Sequence, residues 1–336
     1  MKKTLLALAV LLGSTFQAHA IDDNTVEIVY SGETATVTIA DNISDYVTLA
    51  SGTSSHVILI QSTDFAGVDA TTDNEDGEIF YRLSGTSTDG SFYLTGSYKC
   101  TVTLKGVTLT NPTGPALNIQ NGKRVAVSVN SNTVNTLTDG ANEDYNGCLH
   151  CKGHVKLKGK GTLNIVGNSK HALYCKEYLE VKNLTLNVTG SVKDGIHCRE
   201  YMLVESGTIS IANAGDDAIQ VELDGTTSTG TTTGHEDEDS GNFYMTGGKL
   251  TISDCTGYDI KADGTISLTG GTHNFDTTNI LADALNVEGI TPTTCHLPLT
   301  TGHSYDLLGR PSSGAKSGKG LRIVSVNGRR LVVAQP

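Results

Sequence analysis

Three aspartates near turns are the first candidates for chemistry. Asp194 precedes Asp216 and Asp217 by 22 and 23 residues, and Asp259 follows as a displaced fourth candidate. Ca²⁺ prefers six to eight oxygen ligands at about 2.3–2.6 Å, which carboxylates and backbone carbonyls in a turn can supply. These residues therefore predict a calcium site. The alternative is that each aspartate only accepts hydrogen bonds from nearby backbone amides.

Ring-bearing and positively charged residues recur with a similar spacing. The rings are His150, Tyr174 and His197, and the cations two positions later are Lys152, Lys176 and Arg199. If Leu149, Cys151 and their equivalents point into a core, alternation places the rings in one outward column and the cations in the next. We call them the ring column and the basic column.

The two columns together would suit a sugar chain that carries carboxylates. The rings would offer apolar faces, and the cations would donate charge-assisted hydrogen bonds to the carboxylates. This predicts an acidic polysaccharide as the partner. The alternative is a solvated polar face on which Glu177 and Glu200 are the salt-bridge partners of the cations.

These residues belong to a repeat with a period of 23 or 24 residues. Its copies begin at Gly147, His171, Asp194, Asp217 and, after an insertion at 224–241, Tyr258. The second copy has short apolar alternations at 173–175, 179–181 and 184–188. Such strands cannot bury their apolar faces alone, so successive copies must stack as coils. The sequence predicts an all-β protein, a right-handed single-stranded parallel β-helix with three short strands per coil.

Composition agrees with short strands and excludes some classes of partner. Gly accounts for 38 residues, Pro for 6, and Trp is absent, which favours tight turns and hardly any helix. A β-sandwich is the alternative fold, but it would need hairpin signals such as Asn-Gly between its strands. The net charge of −12 argues against nucleic acid as a partner.

The cysteines do not require a disulfide framework. The chain has seven of them, an odd number, and is long enough to bury its own core. Cys151, Cys175 and Cys198 occupy equivalent inward positions of the repeat. We expect them to form a ladder of packed thiols.

The two ends of the sequence differ from the repeat. Lys2 and Lys3, the apolar run from Leu5 to Leu12 and the small residues around Ala18 to Ala20 predict a signal peptide and export. No later stretch is apolar for long enough to span a membrane. The predicted segments are a signal peptide at 1–20, a β-rich cap or entry coils at 21–91, the β-helix at 92–290 and a basic tail at 291–336.

Several motifs between residues 80 and 275 are similar to those of a known family. They are the stretch from Gly96 to Asn111, Gly114 to Leu117, Asn135 to Gly140, and the turns Asp194-Gly195-Ile196 and Asp216-Asp217-Ala218-Ile219. Together they resemble the pectate-lyase-like family of secreted bacterial carbohydrate-binding β-helix proteins. The resemblance implies a right-handed parallel β-helix, calcium in the turns and binding to plant-type polysaccharides, including acidic ones. Gly147 and His171 stand where this family repeats its turn carboxylates, which implies fewer calcium sites here.

The same aspartates permit an enzymatic alternative. Gly195 after Asp194 and Gly215 before Asp216 resemble the surroundings of the catalytic carboxylates in polygalacturonases, which perform inverting hydrolysis. Asp194, Asp216 and Asp217 would then be catalytic. However, Lys193 stands in place of the Thr of that motif, and its Gly-His-Gly and Arg-Ile-Lys segments are missing.

A lyase would need a different set of residues on the same scaffold. Its base, usually Arg or Lys beside calcium, would have to be Lys193 or Arg199. Because the second halves of both catalytic patterns are missing, we expect binding without turnover. A polysaccharide-degrading enzyme and a structural adhesin remain alternatives, since a fold alone does not decide function.

The basic tail carries a resemblance of its own. Residues 305–310 and 326–333 resemble the C-terminal sorting tails of proteins exported by the type IX pathway. This implies delivery to the cell surface or medium through that secretion machinery. The alternative is a β-hairpin that closes the end of the helix.

Overall fold

The computed structural model describes residues 21–62, 78–122, 124–225 and 238–288, together with two backbone strands at 320–326 and 329–335. The predicted signal peptide, most of the insertion and most of the basic tail lie outside the described residues. Within the described part, no helix has the length and apolarity that a membrane crossing requires.

A ten-stranded sheet forms one side of the molecule. Its strands are β3 (Val47–Leu49), β4 (His56–Gln61), β6 (Ser91–Gly96), β8 (Leu117–Asn121), β11 (Gly147–Cys151), β14 (His171–Cys175), β17 (Ile196–Arg199), β20 (Ile219–Glu222), β23 (Ile260–Ala262) and β26 (Ile280–Leu281). From β4 onward every neighbouring pair is parallel, as stacking of successive coils requires.

The second sheet holds the other two strands of each coil. One series contains β9 (Val125–Val129), β12 (Val155–Gly159), β15 (Leu179–Lys182), β18 (Tyr201–Val204), β21 (Asn242–Met245), β24 (Thr265–Leu268) and β27 (Ala284–Val287). The other contains β10 (Val134–Asp139), β13 (Thr162–Gly167), β16 (Thr185–Ser191), β19 (Thr208–Ala212), β22 (Lys249–Ser253) and β25 (Thr272–His273). The long strand β7 (Cys100–Asn111) pairs with both series.

The first strands of the described chain join the same sheets. They are β1 (Thr25–Ser31), β2 (Thr34–Ile39) and β5 (Ile79–Ser87), with a 3₁₀ turn at Asp41–Ile43. β1 pairs antiparallel with β2 and parallel with β5, and β3 pairs antiparallel with β4. At the other end, β28 (Gly320–Val326) and β29 (Arg329–Gln335) form an antiparallel hairpin in a sheet of their own.

The fold prediction, a parallel β-helix with three strands per coil, is confirmed, and the sandwich alternative is wrong. Leu173 of β14 lies opposite Leu149 and Ile196 on the adjacent coils, and all three are 0% exposed. Stacking in register gives every inward side chain a similar neighbour about 4.8 Å away. One apolar column therefore continues through the core.

The cysteine ladder is also confirmed. Cys175 lies opposite Cys151 on one side and Cys198 on the other. All three are free thiols that are 0% exposed. Burial raises the pKa of each thiol, so these cysteines pack as small apolar groups and are poor nucleophiles.

Glycine allows the chain to turn tightly between the two series of the second sheet. Gly159 ends β12 with a φ of +132°, and a Cβ atom there would lie 2.1 Å from the carbonyl oxygen of Val129. Only glycine combines this backbone angle with such a close approach. The turn keeps β12 and β13 stacked on the preceding coil.

Candidate functional site

The outer face of the ten-stranded sheet carries the predicted ring column. Pairing places Tyr174 opposite both His150 and His197. The column continues to Asn118 at one end and Gln220 at the other. The structure therefore brings the three predicted ring residues together on one face.

The rings are packed against one another, which corrects the expectation that their faces are available. Tyr174 and His197 have ring centroids 5.4 Å apart at an interplanar angle of 28°, and His150 meets Tyr174 at 5.1 Å and 64°. Tyr174 is 8% exposed and His197 7%. Coils about 4.8 Å apart leave no room for a sugar between stacked rings. The column is therefore a row of packed rings whose faces are covered by one another.

Burial changes the acid–base behaviour of His150. Desolvation lowers the pKa of His150 to about 4, because removing an imidazole from water disfavours its charged form. Its buried Nδ1 atom has no hydrogen-bond partner within the described residues. His150 is therefore a neutral ring at pH 7.

The basic column has two exposed members and one shielded member. Lys152 and Lys176 are exposed, and within the described part of the chain neither forms an ion pair. Arg199 is half-buried, and its Nη1 lies 2.8 Å from Oδ1 of Asp224. Its Nε lies 3.8 Å from Oε2 of Glu222. Of the three residues of the basic column, Lys152 and Lys176 are therefore the two whose charge is not paired with a carboxylate of the described residues.

The sequence misassigned the acidic partners of these cations. Glu177 and Glu200, the expected salt-bridge partners, both face His154 instead, at 2.8 and 3.3 Å from its Nε2. They belong to the turn that follows the strand.

Asp194, Asp216 and Asp217 meet where two coils turn into β17 and β20. One oxygen of each lies within 4.8 Å of the others. Asp194 and Asp217 are each 2% exposed, whereas Asp216 is exposed. Burial raises the pKa of Asp217, a hydrogen bond from the Tyr258 amide opposes the rise, and the charge of Asp194 adds to it. A cation at this point would relieve the repulsion.

The carboxylates of Asp216 and Asp217 lie close to Gly257. A Cβ atom at Gly257 would lie 2.4 Å from Oδ1 of Asp217 and 2.8 Å from Oδ1 of Asp216. Both oxygens therefore pack directly against this glycine, and a side chain at position 257 would displace them. Lys261 partly balances the charge from outside, with its Nζ 3.6 Å from Oδ2 of Asp217.

Asp259 does not join the other three aspartates, which corrects its assignment to one site with them. Its carboxylate accepts hydrogen bonds from the Asp276 amide at 3.0 Å and the Asn279 side chain at 3.2 Å. Asp259 lies one position beyond Tyr258, the residue equivalent to Asp217. That displacement turns it toward the next loop, where it caps backbone and amide groups.

Comparison with known families decides the kind of protein. A family model described as "Carbohydrate-binding domain-containing protein" matches residues 66–294, more than half of the chain. The chain belongs to this family. The matched residues include the ring column, the basic column and the turn aspartates of this carbohydrate-binding domain.

One solved structure gives independent support for the fold. The carbohydrate-binding domain is similar to the "polysaccharide lyase-like protein from C. thermocellum, Gadolinium derivative", with a TM-score of 0.59 and 18% identity. The similarity covers 80% of this chain and 98% of that chain. No curated protein sequence matches the chain.

Sequence reasoning missed a second group of side chains around Asp194. Nδ1 of His197 lies 2.9 Å from Oδ2 of Asp194, and Nδ1 of His171 lies 3.2 Å from the same oxygen. Burial raises the pKa of Asp194, but the interactions of its carboxylate with His171 and His197 reverse the shift and hold the pKa well below its usual range. The signal was present in the repeat, where His171 replaces a turn carboxylate one coil before Asp194.

A third group lies in the next turn of the same coils. His154 stacks on Tyr178 with centroids 4.1 Å apart, and its Nε2 faces Glu177 and Glu200. Burial lowers the pKa of His154, but the two carboxylates raise it to about 9. Their spacing of 23 residues was visible in the sequence, but without the fold nothing linked it to His154.

Proposed function

We propose that this carbohydrate-binding protein is exported and that it binds acidic polysaccharide without cleaving it. The observation that carries the proposal is the exposure of Lys152 and Lys176 on adjacent coils of one face. Lysines on coils about 4.8 Å apart can each meet a charge of the same uronate-containing chain. Family membership supports a carbohydrate partner, and the lysine pair supports an acidic one.

The ring column contributes to this face through the packing of its rings on one another and not through stacking on a sugar. Its rings pack against one another on strands β11, β14 and β17, two positions before the residues of the basic column. Asn118 and Gln120 extend this face, joined by a hydrogen bond of 2.7 Å. Fixed groups lose little conformational freedom when a ligand binds, which favours affinity.

Calcium is part of the proposal. Asp216 and Asp217 would hold the ion, with backbone carbonyls completing its oxygen ligands. When bound, the ion supplies positive charge that compensates the turn carboxylates. Asp194 lies between this site and His197 of the ring column. An ion that fixes the turn would therefore also stabilise the binding face.

Burial of the turn carboxylates favours binding over hydrolysis. A glycosidase needs two carboxyl groups that reach opposite sides of a bound sugar. Asp194 and Asp217 are each 2% exposed, and both accept hydrogen bonds from the protein itself. Only Asp216 is open to a substrate, so a catalytic pair is not presented.

Export and delivery to the cell surface or medium complete the proposal. The pattern of residues 1–20 supports export, and the resemblance of residues 305–310 and 326–333 to sorting tails supports surface delivery. Immunodetection of the protein in the medium and on intact cells would test both. Retention in the cytoplasm would contradict them.

The test of the binding proposal compares two double variants of equal charge. Lys152→Ser with Lys176→Ser removes the exposed cations of the face, and Lys158→Ser with Lys249→Ser removes two from the second sheet. We expect the first to weaken binding to immobilised polygalacturonate at least tenfold, about 1.4 kcal/mol, and the second to leave it unchanged. Binding of the parent should also fall as salt rises.

Two results would overturn the proposal. One is binding of the first double variant with the parent's affinity and salt response. The other is the appearance of reducing ends or unsaturated products when the parent is incubated with uronans, which would reveal turnover.

A further inference from the structure

We propose that His171, Asp194 and His197 form a binding site for a late first-row divalent metal ion such as Zn²⁺. We call them the His–Asp cluster. His171 opens β14, Asp194 directly precedes the turn into β17, and His197 lies within β17. Stacking of adjacent coils brings the two imidazole rings to a centroid distance of 4.5 Å.

Three potential ligand atoms converge at one point. Oδ2 of Asp194 lies 2.9 Å from Nδ1 of His197 and 3.2 Å from Nδ1 of His171. Tetrahedral zinc bound at about 2.0–2.2 Å to nitrogen and oxygen places its ligand atoms roughly 3.3–3.5 Å apart. A small outward movement of the three side chains therefore makes room for the ion.

The hydrogen bonding inside the cluster is incomplete without an ion. His197 forms a hydrogen bond with Oδ2 of Asp194 through its Nδ1. Nδ1 of His171 is close to the same oxygen, but within the described residues it has no partner in hydrogen-bond geometry. His171 is 7% exposed, and a buried polar atom without a partner is costly. A metal ion would satisfy Nδ1 of both rings and the carboxylate at once.

The donor set selects the class of metal. Two imidazole nitrogens and one carboxylate suit zinc and its neighbours, whereas calcium and magnesium prefer oxygen ligands alone. The cluster is thus chemically distinct from the carboxylates beside Gly257.

Groups around the cluster fix its ligands in place. Nε2 of His197 lies 3.4 Å from Oε2 of Glu222, the carboxylate–histidine arrangement that orients metal-binding imidazoles. Oδ1 of Asp194 accepts the Asp217 amide hydrogen at 3.2 Å, so Oδ2 is left facing the rings. Three protein ligands leave one position of a tetrahedron for water.

The proposal is tested by metal titration of the full, chelator-treated protein. We expect calorimetry with Zn²⁺ to show a site that excess Ca²⁺ does not displace, and Co²⁺ in the same site to give the intense visible bands of tetrahedral coordination. His171→Gln and His197→Gln should each weaken Zn²⁺ binding at least a hundredfold. His150→Gln, in the ring column but outside the cluster, and His154→Gln, in the neighbouring turn, should leave this site intact.

A second measurement serves if the cluster variants do not fold. In the parent protein labelled with ¹⁵N-histidine, Zn²⁺ should shift the Nδ1 resonances of two histidines. The same two shifts should be seen in His150→Gln and in His154→Gln. Absence of Zn²⁺ binding, binding that both cluster variants retain, or Nδ1 resonances that do not move would each overturn the proposal. Polysaccharide binding is measured separately, so loss of one property is distinguishable from loss of the other.

Discussion

Nε2 of His154 lies 2.8 Å from Oε2 of Glu177 on the adjacent coil. The pair links two coils where the chain leaves the ten-stranded sheet, and Glu200 of the following coil approaches the same nitrogen. One protonated imidazole thus joins three successive coils. This contact makes stability depend on pH in a defined direction.

His154→Gln should destabilise the protein most at neutral and mildly acidic pH. The folded-state pKa of about 9 lies above the value of about 6.5 expected for an unfolded chain. Its contribution is therefore complete below about pH 6.5 and is lost as pH rises through 9. We expect a loss of about 2 kcal/mol at pH 6 that shrinks toward pH 10, measured by urea unfolding.

His56→Gln provides the control for this experiment. His56 also faces a carboxylate, Asp89, at 3.1 Å, but their side chains are 37% and 61% exposed. Exposed pairs contribute about 0–1 kcal/mol, so this variant should change little at any pH. An equal loss at pH 6 and pH 10 for His154→Gln would show that its ring stacking, not its charge, matters.

His150→Gln should change the pH dependence of stability in the opposite direction to His154→Gln and in a more acidic range. The pKa of His150 is lowered to about 4 by burial, so the unfolded chain binds a proton more readily than the folded one. The parent therefore loses stability through this group as pH falls from about 6.5 to 4. Over that pH range the free energy of unfolding of the variant should fall by about 2 kcal/mol less than that of the parent. Unfolding curves of parent and variant that fall in parallel would contradict the burial of a neutral ring.

Calcium should raise the melting temperature through Asp216 and Asp217. An ion that binds only the folded state stabilises it by about 2.7 kcal/mol at a hundredfold excess over its Kd. Asp216→Asn is expected to abolish most of this increment, and a chelator should reverse it. Asp259→Asn should keep the full response, because this carboxylate accepts hydrogen bonds elsewhere. If calcium did not change the melting temperature of the parent protein, the proposed role of the ion would be wrong.

Periodicity made the fold predictable. Every copy of the repeat places leucine or isoleucine at the position of Leu173, so a register error of one residue would expose the whole column. The same reasoning put Tyr174 between His150 and His197. A pattern of alternation fixes which side of a strand a residue occupies, and this was enough for the position of both columns.

The sequence could not show how side chains at the turns meet. Asp194 reaches His171 and His197 because the chain bends between coils, and that bend has no period-two pattern to follow. Ring exposure also failed as a prediction, since Tyr174 packs against His150 and His197 on the adjacent coils. Arg199 was assigned to the ligand because its partner Asp224 begins an insertion that interrupts the repeat.

Stacking in register also sets how such a protein changes in length. Because β14 pairs in parallel and in the same register with both β11 and β17, we expect duplication of one whole repeat to insert a coil that pairs with its neighbours in the same way. Each added repeat extends the outer face by about 4.8 Å and its columns by one residue. Gene duplication of this unit would therefore lengthen the stretch of polymer that one molecule can hold, whereas a partial repeat would break the register of every strand beyond it.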